Sequence, residues 1–106
     1  MSKLTLYSMK EVKVIIKREH LGYITDLLDS LGTTGYTIVQ IISGRGHHGI
    51  HVSNPMTNSM ENLVMLLSVM PEEKLEAVLE GLNPILDEYT GIVYVFDVAV
   101  SNKGYF

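Results

Sequence analysis

The 106-residue chain contains no cysteine and no tryptophan. Without thiols, disulfides, Cys-ligated zinc, iron–sulfur clusters and thiol nucleophiles are all excluded. Basic side chains are scarce as well: 8 Lys and Arg stand against 12 Asp and Glu, a formal net charge of −4. That balance argues against nucleic acid as a partner, because such binding draws on a surplus of cations facing phosphates. No apolar run approaches the ~20 residues needed to span a bilayer as a helix. Residues 1–9 (MSKLTLYSM) lack the apolar stretch of a secretory signal, so the expected compartment is the cytoplasm, and they read as an N-terminal extension of the domain. With 46% hydrophobic and 19% charged residues, what is present is the composition of one packed domain.

The charge is unevenly placed. Residues 1–60 hold six basic groups (Lys3, Lys10, Lys13, Lys17, Arg18, Arg45) against four acidic ones, whereas residues 61–106 hold Lys74 and Lys103 against eight acids. All four histidines lie in the first part, three of them at positions 47, 48 and 51. A small anion would be drawn to that half, unless both faces are simply solvated.

Hydrophobic periodicity divides the chain into two similar halves. Val12, Val14 and Ile16 alternate with charged neighbours from Glu11 to Lys17, the pattern of a half-buried strand. Leu21, Ile24, Leu27, Leu28 and Leu31 then form one face of a helix that ends at Gly32. His20 falls at its start, as a surface residue. Tyr36 to Ser43 is β-branched and aromatic and reads as a strand. Residues 44–59 (GRGHHGIHVSNPMTNS) break all periodicity and read as a long flexible loop.

A third strand spans Leu63 to Val69. Pro71 with Glu72 and Glu73 opens a second helix, since proline suits the first turn and carboxylates suit the N-terminal dipole. Gly81 and Pro84 lie inside it, where a kink or break is expected. Gly91 opens a last strand, Ile92 to Val100. The order β-α-β, loop, β-α-β describes an α+β ferredoxin-like sandwich, βαββαβ, with both helices on one face of the sheet. The second and fourth strands are apolar at nearly every position, which suits a sheet covered on both faces. Because the helices cover only one face, the other predicts a homo-oligomer.

Chemistry concentrates in one segment, Gly44-Arg45-Gly46-His47-His48-Gly49-Ile50-His51. Its glycines let backbone N–H groups converge on an anion, and Arg45 adds a forked charge for a phosphate or carboxylate. The segment is neither a Walker loop nor a dinucleotide fingerprint. Three readings stay open: an anion site, a solvent loop, or a metal site built on His47, His48 and His51. Glu72, Glu73 and Glu76 read as a solvated helix face, Asp97 as outward-facing or part of a subunit contact, and the methionines at 56, 60, 65 and 70 as loop and core filler. No base is oriented toward a nucleophile by any spacing in the chain, and no enzyme is read here.

EVKVIIKREHL, a helix, GTTGYTIVQI and a Gly-Arg-Gly loop together resemble the first half of the PII signal-transduction family. ENLVMLLSVMPEEKLEAVLEGL followed by YTGIVYVFDVAV is similar to its second half, and the likeness runs from about Glu11 to Lys103. The resemblance implies a homotrimer with adenine nucleotides in clefts between subunits. It places Gly35, Tyr36 and Thr37 against adenine and ribose. Gly44, Gly46 and His47 fall at the base of the family's T-loop, which wraps the phosphates. Glu61, Asn62, Leu63 and Val64 fall where a strand lines the adenine pocket, and Gly91 in the B-loop beneath the phosphates.

The departures sharpen the implied ligand. Thr37 to Gly44 is one residue longer than in standard members, Ile92 replaces the B-loop lysine, and Ser101, Asn102 and Lys103 replace the C-terminal arginines. The loop also has no tyrosine for uridylylation. Fewer cations weaken a triphosphate's hold. The chain thus resembles the PII-like adenylate sensors associated with bicarbonate transporters and carboxysomes. This implies ADP or AMP as effector, no obligatory cofactor, Lys103 as a remaining phosphate cation, and bicarbonate held by Arg45, His47 and His48. It further implies a membrane transporter as partner through the loop. The alternative is a metal-responsive trimer of similar fold using the loop histidines.

Overall fold

In the computed structural model, residues 3–33, 35–41, 43–46, 49–52 and 62–106 are described. The elements are β1 (Tyr7–Lys17), α1 (Leu21–Ser30), β2 (Thr37–Ile41), β3 (Ser43–Gly46), β4 (Gly49–Val52), β5 (Leu63–Met70), α2 (Glu72–Tyr89) and β6 (Ile92–Val100). Four strands form one antiparallel sheet in the order β2-β5-β1-β6, and β3 pairs with β4 in a separate ribbon. With α1 following β1 and α2 following β5, this is the split βαβ arrangement expected from the periodicity.

The register explains where the core sits. Val12, Val14 and Ile16 of β1 lie beside Ser68, Leu66 and Val64 of β5. This row points to one face, since side chains alternate along a strand. Onto it pack Ile24 and Leu28 of α1 and Val78 and Leu82 of α2, all fully buried. Among the described residues, no α-helix covers the opposite face. There Lys13 reaches over the Phe96 ring, 4.7 Å from its centroid, and Tyr94, Phe96 and Ile92 are each more than 40% exposed in the single chain. The expected uncovered apolar face is thus present.

Four expectations change. β1 begins at Tyr7 rather than Glu11, and Met9 is buried, so residues 7–9 belong to the sheet and are not an extension before it. α2 runs unbroken through Gly81 and Pro84. Its buried Val78 and Leu82, with Ile85 and Leu86 packed beside them, offset the ~3 kcal/mol an internal proline costs. Gly81 has a packing role: a Cβ there would sit 2.9 Å from Leu27 Cδ2 and 3.2 Å from its Cγ, so its absence lets α1 approach α2. Within 44–59, where a loop without periodicity was expected, residues 44–46 and 49–52 pair in the β3–β4 ribbon, Gly44 with His51 and Arg45 with Ile50. Finally, His20 does begin α1, but its ring stacks on Tyr89 at 4.2 Å, and Tyr89 stacks on Tyr23 at 4.8 Å. A hydrogen bond with Tyr23, then burial, raises the Tyr89 phenol above its ordinary pKa. Asp97 faces outward as expected and pairs with Lys10, whose ammonium that hydrogen bond holds above its usual pKa.

α2 ends on Thr90 in the left-handed conformation, φ 57° and ψ 49°. A β-branched residue is poorly suited to that region, which glycine adopts freely. Thr90→Gly is therefore expected to stabilise the fold by about 0.5–1 kcal/mol, the left-handed penalty less glycine's extra unfolded-state entropy. Urea denaturation at fixed protein concentration checks it, and a destabilised variant would contradict the account.

Candidate functional site

At the edge of the uncovered face, beside the start of β2, lies a cleft of about 550 Å³. Gly35, Tyr36 and Thr37 form one side, Val39, Leu67 and Val69 an apolar floor with the Glu11 carboxylate, and Tyr105 and Phe106 the remaining side. Four local devices hold the Gly35 side in place. Gly32, at φ +68°, turns the chain out of α1. The Thr33 N–H closes the helix end on the Leu28 carbonyl at 3.0 Å. Lys74, from the first turn of α2, donates to the Leu31 and Gly32 carbonyls at 3.2 and 2.9 Å, satisfying acceptors that a helix C-terminus leaves open. The buried Ser68 hydroxyl donates to the Gly35 carbonyl at 3.1 Å.

The other side is built by the chain end. After β6, a short 3₁₀ turn over Lys103–Tyr105 carries N–H bonds from Tyr105 to the Asn102 carbonyl (3.2 Å) and from Phe106 to the Lys103 carbonyl (3.3 Å). Tyr105 and Phe106 meet edge to face at 5.3 Å. Sequence reasoning missed Glu11, Tyr105 and Phe106, because neither a strand-borne glutamate nor a terminal aromatic pair carries a periodic signal.

The residues singled out in the sequence divide into two groups. Gly35, Tyr36 and Thr37 line the cleft, and Lys103 lies in the turn that forms its far wall, its Nζ 5.8 Å from the Tyr7 ring. Gly44, Arg45 and Gly46 lie in β3, and Asn62, Leu63 and Val64 at the start of β5. Thr37 pairs with Leu67 and Ile41 with Leu63, so the groups stand at opposite ends of β2, about 13 Å apart at ~3.3 Å per residue. Gly91 belongs to the second group, since β6 begins where Ile92 meets Ile15. Val64 is completely buried, paired with Ile16 on one side and Gln40 on the other. The Asn62 carbonyl accepts from the Arg18 N–H at 2.9 Å. His47, His48 and Glu61 lie outside the described residues, as do Met56 and Met60. Among the described residues, no three His, Asp or Glu side chains gather as a metal site, and no helix is long and apolar enough to cross a membrane.

A four-stranded antiparallel sheet with two helices on one face defines a small ferredoxin-like domain, with a cleft at the sheet's edge. The chain belongs to the nitrogen regulatory protein P-II family, whose sequence model matches residues 9–105. Among solved structures it is similar to CPII, a nitrogen regulatory PII-like protein from Thiomonas intermedia K12, bound to ADP, AMP and bicarbonate. That likeness has 37% identity, a TM-score of 0.83 and coverage of 94% of each chain. The same protein bound to ADP, AMP and acetate is 36% identical with a TM-score of 0.79, over 96% of this chain and 97% of that one. A DUF3240 family protein from Shewanella baltica OS155 shares the fold at 14% identity and a TM-score of 0.67, over 85% and 89% of the two chains. No curated protein matches the sequence. The comparisons indicate no catalytic family.

Proposed function

We propose that this protein is a homotrimeric, non-enzymatic regulator that binds ADP or AMP, together with bicarbonate, in clefts between its subunits. The observation that carries the reading is the separation of the two residue groups along β2. A nucleotide that touches both Gly35–Thr37 and the Asn62–Val64 and Gly44–Gly46 set is best served when neighbouring subunits supply one group each. The uncovered face, with Tyr94 and Phe96 exposed, supplies the apolar surface such an assembly buries. The 37% identical Thiomonas protein, described as bound to ADP, AMP and bicarbonate, supports the ligand class.

In this reading Gly35, Tyr36 and Thr37 contact base and ribose, and the Gly-rich β3 segment and Lys103 approach the phosphates. Arg45, His47 and His48 hold the bicarbonate. Occupancy then changes segment 44–59, which engages or releases a membrane transporter in inorganic carbon metabolism. An order change in one loop is an established way for ligand binding to be read by a partner. Coupling between two such sites is typically ~1–3 kcal/mol, or about 5- to 150-fold in affinity.

Isothermal titration calorimetry of the purified protein against ADP, AMP, cyclic AMP and ATP, each with and without bicarbonate, tests the reading. Micromolar binding of ADP or AMP, tightened by bicarbonate and weaker for ATP, is expected. If no adenylate binds while zinc, copper or nickel does, the nucleotide assignment is wrong and the loop histidines become the site.

A further inference from the structure

Tyr105 and Phe106 belong to no repeat, motif or strand, yet they close the cleft opposite Gly35, Tyr36 and Thr37. The two rings differ in what they leave available. Phe106 is half-buried, while Tyr105 is 72% exposed although it lines the same cleft. A large aromatic ring left open beside an apolar floor of Val39, Leu67 and Val69 offers a flat surface for another flat group. Across the cleft, Tyr36 presents a second ring, 38% exposed. Glu11 also lines the cleft, and its carboxylate lies 3.7 Å from Lys13 Nζ. A carboxylate there repels phosphate but accepts hydrogen bonds from an amino group or ribose hydroxyls. Aromatic walls with an acidic acceptor therefore suit the base end of a nucleotide and disfavour its phosphate end.

We infer that Tyr105 is a binding residue for adenine, stacking on the base as it enters beside Tyr36, with Phe106 anchoring the chain end to the sheet. The inference rests on the nucleotide reading above and adds to it the residue that covers the base. The C-terminal turn then serves as a short wall that the chain supplies to its own cleft, in addition to anything a neighbouring subunit contributes.

The test compares the wild type with Tyr105→Ala and Tyr105→Phe, titrating ADP and AMP by calorimetry. Tyr105 is 72% exposed, so both variants should keep the wild-type melting temperature. Tyr105→Ala is expected to bind both nucleotides about tenfold more weakly, in the range of base–aromatic stacking, and Tyr105→Phe to bind within about twofold of wild type, since the ring face is kept. Because the base is common to both ligands, the losses for ADP and AMP should be equal, and the response to bicarbonate should be unchanged. If wild type binds ADP and Tyr105→Ala binds it equally well, the inference is overturned while the nucleotide reading stands. A loss for ADP without a matching loss for AMP would also overturn it, since it would place the residue at the phosphates. If wild type itself binds neither nucleotide, the underlying reading fails.

Discussion

Leu28→Ala is expected to lower the free energy of unfolding by about 3 kcal/mol, within the 2–5 kcal/mol range for emptying a core leucine site. Only Ile24 and Leu28 of α1 are fully buried, so the helix is held to the sheet by two principal anchors with Leu21, Leu27 and Leu31 packed at their margins. Around Leu28 the neighbours belong to β1, β5 and α2, elements pinned by their own ladders or helix bonds. They cannot collapse freely into the space the missing isopropyl group leaves, and the cavity penalty is therefore felt in full. For a domain of this size the loss is a large part of a total stability that is typically ~5–15 kcal/mol.

The consequence should extend to the cleft. The Leu28 carbonyl accepts from the Thr33 N–H, and the same turn delivers Gly35 and Tyr36 to the cleft wall. A loosened α1 end should weaken ADP binding as well as stability. Urea denaturation at one protein concentration, necessary for an oligomer, together with ADP titration, checks both parts. A loss below about 1 kcal/mol would show that α1 is not held by its buried face.

The elements that define the fold were legible because they bury side chains at a regular period. Val12, Val14 and Ile16 alternate, and Ile24 with Leu28 and Val78 with Leu82 repeat every fourth residue, and each of these residues is buried where its period places it. What escaped notice has no such period. Tyr7 and Ser8 lie on the exposed end of β1, so nothing in their alternation distinguishes them from a tail. The β3–β4 ribbon joins glycine, arginine and histidine through backbone pairing, which any sequence can supply. Pro84 suggests a break when judged by local propensity, and it is tolerated because the packing of its neighbours is a tertiary effect.

The candidate site was legible in the same uneven way. Gly35, Tyr36 and Thr37 stand at a strand start, where a resemblance can be aligned, and all three line the cleft. Glu11 and the terminal aromatics reach it only through the sheet register and the turn after β6, neither of which spacing along the chain encodes. Lys74 holds that wall from a helix more than thirty residues away. Its position in an acidic first turn gave it no distinguishing mark.

Gly91 is where a ligand role and a packing role make opposite predictions. A Cβ at Gly91 would meet Leu86 Cδ2 at 2.5 Å and the Ile15 carbonyl oxygen at 3.2 Å. The leucine can turn aside, but the carbonyl belongs to a residue paired on one side with Met65 and on the other with Ile92. A strand held by two neighbours has little freedom to retreat. Gly91→Ala is therefore expected to destabilise the protein by about 1–3 kcal/mol, the usual cost of overpacking. The N–H of residue 91, which bonds to the Leu86 carbonyl at 3.3 Å, is retained in the variant, so its ADP affinity at a temperature where it remains folded should stay within about threefold of wild type, well under one 1.4 kcal/mol decade. Thermal unfolding and calorimetry on the same preparation separate the roles. Unchanged stability with a tenfold or greater loss of ADP affinity would mean that the missing side chain makes room for phosphate. A lowered melting temperature with affinity preserved would mean that it makes room for β1, so that this glycine positions the second residue group by letting β6 start directly against the central strand.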